Sequence, residues 1–174
     1  MFYLDLMLNL SLLVTLTIIS GFIERVSPRR TLPGQIVQGV LFGAVAVIGM
    51  IKPLVLQTGL IFDGRSIVLS LAALFFGPVA GVISGVMSII YRGMLGGTGM
   101  IAGILVVCSS VGIGLLGHRR LAPWKYPPSA KKLYLFGLVV HIAMISMMFS
   151  LPGGAGIQVV ALMGLPVLLV YPFA

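Results

Sequence analysis

The sequence predicts an all-α integral membrane domain of about six helical segments, two of them joined as a hairpin at a Gly-Pro break. Three observations carry this. Of the 174 residues, 59% are hydrophobic and only 8% are charged, whereas roughly a quarter of a soluble domain is charged. So little polar surface cannot cover a water-soluble globule, and disorder is excluded as well, because it needs few apolar residues and many charges. The apolar residues fall into runs near the roughly 20 residues that a helix needs to cross a bilayer. The basic residues behind the net charge of +8 sit in short clusters between those runs. Cytoplasmic loops of membrane proteins have this pattern; a nucleic-acid-binding stripe does not.

The first run, residues 2–23, has Asp5 as its early charge and is followed by Arg25, Arg29 and Arg30. A cleaved leader carries its basic residues ahead of the apolar stretch, so this run reads as a retained helix with its N-terminus outside. Ser27, Pro28 and Pro33 mark the loop after it. The second run covers 36–51 and ends at Lys52-Pro53. The third, 60–91, is interrupted by Asp63-Gly64-Arg65 near its start and by Gly77-Pro78 in its middle. A glycine-rich segment, 92–99, leads into the fourth run at 100–117. Residues 118–132 form a basic loop, the fifth run is 133–150, Leu151-Pro152-Gly153-Gly154 is a turn, and the sixth run is 157–173. The chain reads as a single transmembrane unit, with an N-terminal helix at 1–23 and a core at 36–174. Its one cysteine excludes an internal disulfide.

Charge bias decides the path of the third run. If 60–91 is one span, the arginines at 25, 29 and 30 fall on the opposite side from Arg119, Arg120, Lys125, Lys131 and Lys132, against the cytoplasmic preference of basic loops. If the chain turns back at Gly77-Pro78, both clusters share the cytoplasmic side. Eight of the eleven basic residues then lie inside, leaving Lys52, Arg65 and Arg92 outside. Proline removes an N–H and breaks a helix, and glycine permits the turn. The arms are short, about 11–17 residues or roughly 16–25 Å, which is tolerable where other helices bury the backbone. Gly77, Gly81 and Gly85 recur at intervals of four, as do Gly39-Gly43 and Gly99-Gly103. This spacing reads as close helix packing.

The same turn makes Arg65 and Arg92 neighbours at the outer face, although 27 residues separate them. Two guanidiniums repel unless an anion lies between them, and their planar forks suit a carboxylate or phosphate. Interfacial anchoring is the competing reading for both. Asp63 can orient Arg65, and Lys52 adds long-range attraction. Gly96, Gly97 and Thr98, just before the fourth helix, offer backbone N–H groups to an anion. Cys108, Ser109 and Ser110 are weaker candidates, and His141 reads as a packing histidine. There is no metal-ligand spacing and no pair of carboxylates for acid–base work, so the reading holds no catalytic residue, metal or cofactor.

The segments Gly59-Leu-Ile-Phe-Asp-Gly-Arg-Ser66, Phe76-Gly-Pro-Val-Ala-Gly81, Tyr91-Arg92 and Gly96-Gly97, in that order, resemble the membrane sensor domain of LytS-type proteins. The resemblance covers about Val37 to the C-terminus. It implies a receptor in the bacterial inner membrane that binds a small extracellular anion, a carboxylate such as pyruvate in some members. It also implies signalling to a histidine kinase or diguanylate cyclase output module, or through it to a response regulator. Arg65 and Arg92 match the family's arginine positions. A cytoplasmic output module is expected to follow Ala174, outside this chain, and a homodimer is expected by analogy with such modules. Membrane lipids are the remaining partner; nucleic acid is not one. Phe-Gly-Pro-x-x-Gly is also similar to substrate-binding subunits of energy-coupling-factor vitamin transporters, which makes a transport subunit the alternative.

Overall fold

The computed structural model describes residues 2–51, 54–57, 60–62, 64–97, 99–121, 128–150, 156–157 and 160–161, with backbone alone for 2–10 and 54–62. Its elements run α1 (Phe2–Val26), α2 (Leu32–Ile51), β1 (Leu54–Gln57), β2 (Leu60–Phe62), α3 (Arg65–Leu95), α4 (Met100–Leu121) and α5 (Ala130–Met148). Among the described residues the domain is all-α apart from one two-stranded ribbon. Of the sixth run, 157–173, most lies outside the described residues; the backbone is helical at 156–157 and 160–161.

The ribbon departs from expectation. β1 and β2 pair antiparallel, Leu54 facing Phe62 and Val55 facing Ile61, with a bulge between Val55 and Gln57. Leu60–Phe62 is therefore strand and does not belong to the third helical run. Helix boundaries differ too. α4 continues past Gly117 through His118, Arg119 and Arg120, since cations are favourable at the negative end of a helix dipole. α2 begins where Thr31 serves as N-cap: its Oγ1 accepts the Gly34 N–H at 3.2 Å. The preceding loop is tied by Glu24, which accepts the Arg29 N–H at 3.0 Å and pairs with the Arg29 guanidinium at 3.1 Å.

α3 has enough residues to cross a bilayer once, but it does not run straight. Gly77 has φ 86° and ψ −166°, a conformation essentially closed to other residues, and Pro78 has no N–H. The chain doubles back there. A methyl group added at Gly81 would lie 2.8 Å from Ala73 Cβ and 3.2 Å from Ala73 Cα; in a straight helix, residues eight apart stand about 12 Å apart. The first arm (65–76) is about 18 Å long and the second (78–95) about 27 Å. In a continuous helix Leu74 C=O would accept from residue 78. Here His118, at the end of α4, donates its Nδ1–H to that carbonyl at 2.7 Å, so a side chain replaces the donor that Pro78 lacks.

Small residues let the neighbours close around this hairpin. Gly39 on α2 sits where a methyl group would meet Ala80 Cα at 2.9 Å, and Gly43 sits against Ser84 and Met87. Gly114 on α4 meets Ser70 O and Ala73 Cβ, at 2.5 and 2.6 Å from an added methyl group. The Phe42 and Phe76 rings pack with centroids 5.3 Å apart. The first arm is the centre of the core: Leu69, Ala72, Ala73 and Leu74 are fully buried. Of its two serines, Ser70 returns its hydroxyl to its own helix, Oγ to Ile67 O at 3.0 Å. Ser66 Oγ instead reaches Met144 Sδ on α5 at 3.6 Å. α1 is held to α2 by Gln38, whose buried Nε2 donates to Ser20 O at 3.0 Å.

The hairpin apex lies beside Gln35 and His118. It therefore shares one end of the bundle with the α1–α2 and α4–α5 connections, which carry Arg25, Arg29, Arg30, Arg119, Arg120, Lys131 and Lys132. Both basic clusters lie at one end, as the fold-back requires. Outward faces such as Phe22, Ile90, Ile101 and Val139 are apolar and exposed. Among the described residues four helices, the broken α3 included, are long and apolar enough by length and composition to cross a membrane.

Gly81→Leu drives a side chain into Ala73. Overpacking of this kind costs about 1–3 kcal/mol, so the unfolding midpoint in detergent should fall by about 5–10 °C. Gly49→Leu, where nothing lies within 4 Å, should leave the midpoint unchanged. Equal midpoints for the two variants would contradict the contact between the arms.

Candidate anion-binding site

Arg65 opens the first arm of α3. Its N-cap is Gly64, which makes no side-chain cap, and the first helical turn contains no acid. A cation at a helix N-terminus faces the positive end of the dipole, where negative charge is favourable. Arg65 Nη1 donates to Met50 Sδ at 3.1 Å. A thioether is a weak acceptor, so exchanging this bond for one to a carboxylate gains energy.

Arg92 lies in the last turn of the second arm, where its charge suits the dipole. Nη1 donates to Gly96 O at 2.8 Å, closing the turn into α4. Gly96 and Gly97 have φ of 62° and 83°, and the Gly96 N–H goes to Gly93 O at 3.2 Å. Gly96, expected to offer a backbone donor, has thus committed its N–H to the turn. The Arg92 stem lies on Gly103: a methyl group there would meet Nε at 2.5 Å, Cδ at 3.0 Å and Cγ at 3.2 Å.

Carrying the Ala73–Gly81 pairing to the arm ends sets Arg65 opposite Ile89, about 5 Å along the axis from Arg92. The flanking helices agree: Met50 in the last turn of α2 meets Arg65, and Gly103 in the first turn of α4 meets Arg92. Both arginines come to one end of the bundle, opposite the apex and the basic connections.

The remaining expected residues divide. Lys52, Asp63 and Thr98 lie outside the described residues. Gly97 is exposed. Cys108 is exposed as well, and Ser109 is half-buried with Oγ returned to Val106 O at 3.0 Å. The α4 face near Arg92 is instead Ala102, Gly103, Val106 and Val107, all buried: an apolar wall that Cys108 and Ser109 do not join. Ser110 is buried lower down α4, and His141 is buried on α5 with Nδ1 2.7 Å from its own helix's Gly137 O. Two neighbours of the arginines went unnoticed in the sequence. Met50 reads there as one more apolar residue, and Gly103 as part of a packing repeat.

The family 5TM-5TMR_LYT, described as the 5TMR of 5TMR-LYT, matches residues 14–174. No curated protein and no solved structure matches the chain. The family match spans nearly the whole bundle, from the middle of α1 through both arginines. With four apolar helices of spanning length among the described residues, it makes this a multi-pass membrane protein of sensor type: the chain belongs to the 5TMR-LYT family of LytS-type multi-transmembrane receptor domains.

Proposed function

We propose that this domain is the sensory part of a signalling receptor in the bacterial inner membrane. It binds a small extracellular anion, a carboxylate such as pyruvate, between Arg65 and Arg92. It passes the binding event to a cytoplasmic histidine kinase or diguanylate cyclase module, with a response regulator downstream where the output is a kinase. The apex end with its basic connections is cytoplasmic by the positive-inside preference, which puts the N-terminus and both arginines on the outer side. Residues 36–174 form the sensing core, with 1–23 as an added helix. Asp63 orients Arg65, Lys52 draws anions toward the outer face, and the Gly97-Thr98 backbone faces the ligand.

One observation carries this reading: two arginines from distant positions lie at a single end of the bundle. One of them faces the positive pole of its helix and spends a donor on a thioether. A carboxylate answers both features, because it accepts charge-assisted bonds from two planar forks at once. Signalling needs the bound anion to favour one arrangement of the arms over another, since equal affinity for both shifts nothing.

Titration of purified protein with pyruvate should show binding that Arg65→Ala and Arg92→Ala each weaken by about a hundredfold or more, equivalent to about 2.7 kcal/mol. Both variants should still insert and purify. Retained affinity in both would reject the site, and a response to vitamins instead of small carboxylates would favour a transport subunit. Cys108→Ala and Ser109→Ala should leave affinity within about twofold, or 0.4 kcal/mol; a larger loss in either would put α4's outer face into the site. Topology reporters fused after Gly77 and after Ala122 should both report the cytoplasmic side, and an external Ala122 would reverse the orientation.

A further inference from the structure

We propose that Gly103 is the positioning residue for Arg92, and that its missing side chain holds that guanidinium in the orientation an anion meets. The inference rests on the anion-site reading only for its functional half.

The repeat Gly99-Gly103 reads in sequence as a helix-packing element, like Gly39-Gly43 and Gly77-Gly81-Gly85. The structure separates them. Gly39, Gly81 and Gly114 give way to backbone or Cβ atoms of a facing helix, and Gly43 to a methionine thioether. Gly103 alone among the described glycines gives way to a cation. Three successive atoms of Arg92, Cγ, Cδ and Nε, would lie within 3.2 Å of a methyl group at position 103. Nε must move outright and Cδ and Cγ must each give by a few tenths of an ångström, so the stem is displaced away from α4.

The surroundings make the seat specific. Ala102, Val106 and Val107 are buried beside Gly103 and supply no hydrogen-bonding side chain. The stem lies against Gly103 while Nη1 is held by Gly96 O at 2.8 Å. Held at both points, the guanidinium has lost much of the rotamer freedom that an arginine carries. Ordering completed before binding does not have to be paid for when the ligand arrives. A Cβ at 103 displaces the stem and draws Nη1 away from Gly96 O, so the guanidinium loses its present orientation. Size at this position thus sets the placement of one of the two cations.

Two measurements on the full chain in detergent test this. The first needs no ligand: phenylglyoxal modification of Arg92, followed by peptide mass spectrometry. Gly103→Ala should be modified several-fold faster at Arg92 while Arg65 keeps its wild-type rate. An unchanged Arg92 rate would overturn the seating. The second is pyruvate affinity. Gly103→Ala should weaken it about tenfold with the unfolding midpoint held, and in an Arg92→Lys background the same substitution should change affinity little. If Arg92→Ala loses pyruvate and Gly103→Ala does not, the positioning role fails and the anion site stands. If Arg92→Ala keeps wild-type affinity, or the wild type binds no pyruvate, the carboxylate reading fails and the modification rates alone decide the seating. Should Gly103→Ala fail to fold, the Gly103→Ala/Arg92→Ala double variant should recover folding; failure of that rescue counts against the contact.

Discussion

The fold depends on one broken helix and on how its loose ends are satisfied. In a bilayer no water serves a freed backbone group, so a break must be compensated by protein. Pro78 strips the donor that Leu74 O would otherwise use, and His118 from α4 supplies a replacement at 2.7 Å. That bond ties the apex of the hairpin to α4, while Gln35 from α2 approaches Gly77 from another side. The fold-back then fixes the distribution of charge. It gathers the basic connections at one end and brings the start of the first arm and the end of the second, with Arg65 and Arg92, to the other.

Close packing does the rest, and it uses absent side chains in different ways. Membrane helices gain little from apolar association alone, so backbones must approach closely. Gly39, Gly81 and Gly114 provide that approach. Buried polar groups add direction. Gln38 crosses from α2 to the Ser20 carbonyl of α1, and its Oε1 is buried with no hydrogen-bond partner among the described residues. An unsatisfied buried oxygen costs about 1–3 kcal/mol, which the packing of α1 on α2 must exceed.

Much of the architecture was legible because its signals are physical and coarse. Apolar run length identified the helices, and the sidedness of lysine and arginine chose the hairpin over a single span. The same run-reading hid finer features. Leu54–Gln57 and Leu60–Phe62 form a ribbon, but apolar residues at every position except Gln57 show no alternation to separate strand from helix. His118 was grouped with a basic loop because it is polar, although the missing donor at Pro78 was a reason to look for a polar side chain near the apex. In the site, Arg65 and Arg92 were found by asking where charge is costly. Gly103 and Met50 escaped because neither is charged, and their importance lies in what touches them.

The first arm has a consequence for how such a domain is made. Its 12 residues, 65–76, are too short to cross the hydrocarbon layer, and nearly every side chain faces protein instead of lipid. During synthesis it therefore has no stable resting place of its own. It cannot be released sideways into lipid as a finished span before α4 has been translated, because α4 supplies both its wall and the imidazole at its end. Biogenesis of the domain must hold this segment in a protected state until later helices arrive, which makes the order of insertion part of what the Gly-Pro step encodes.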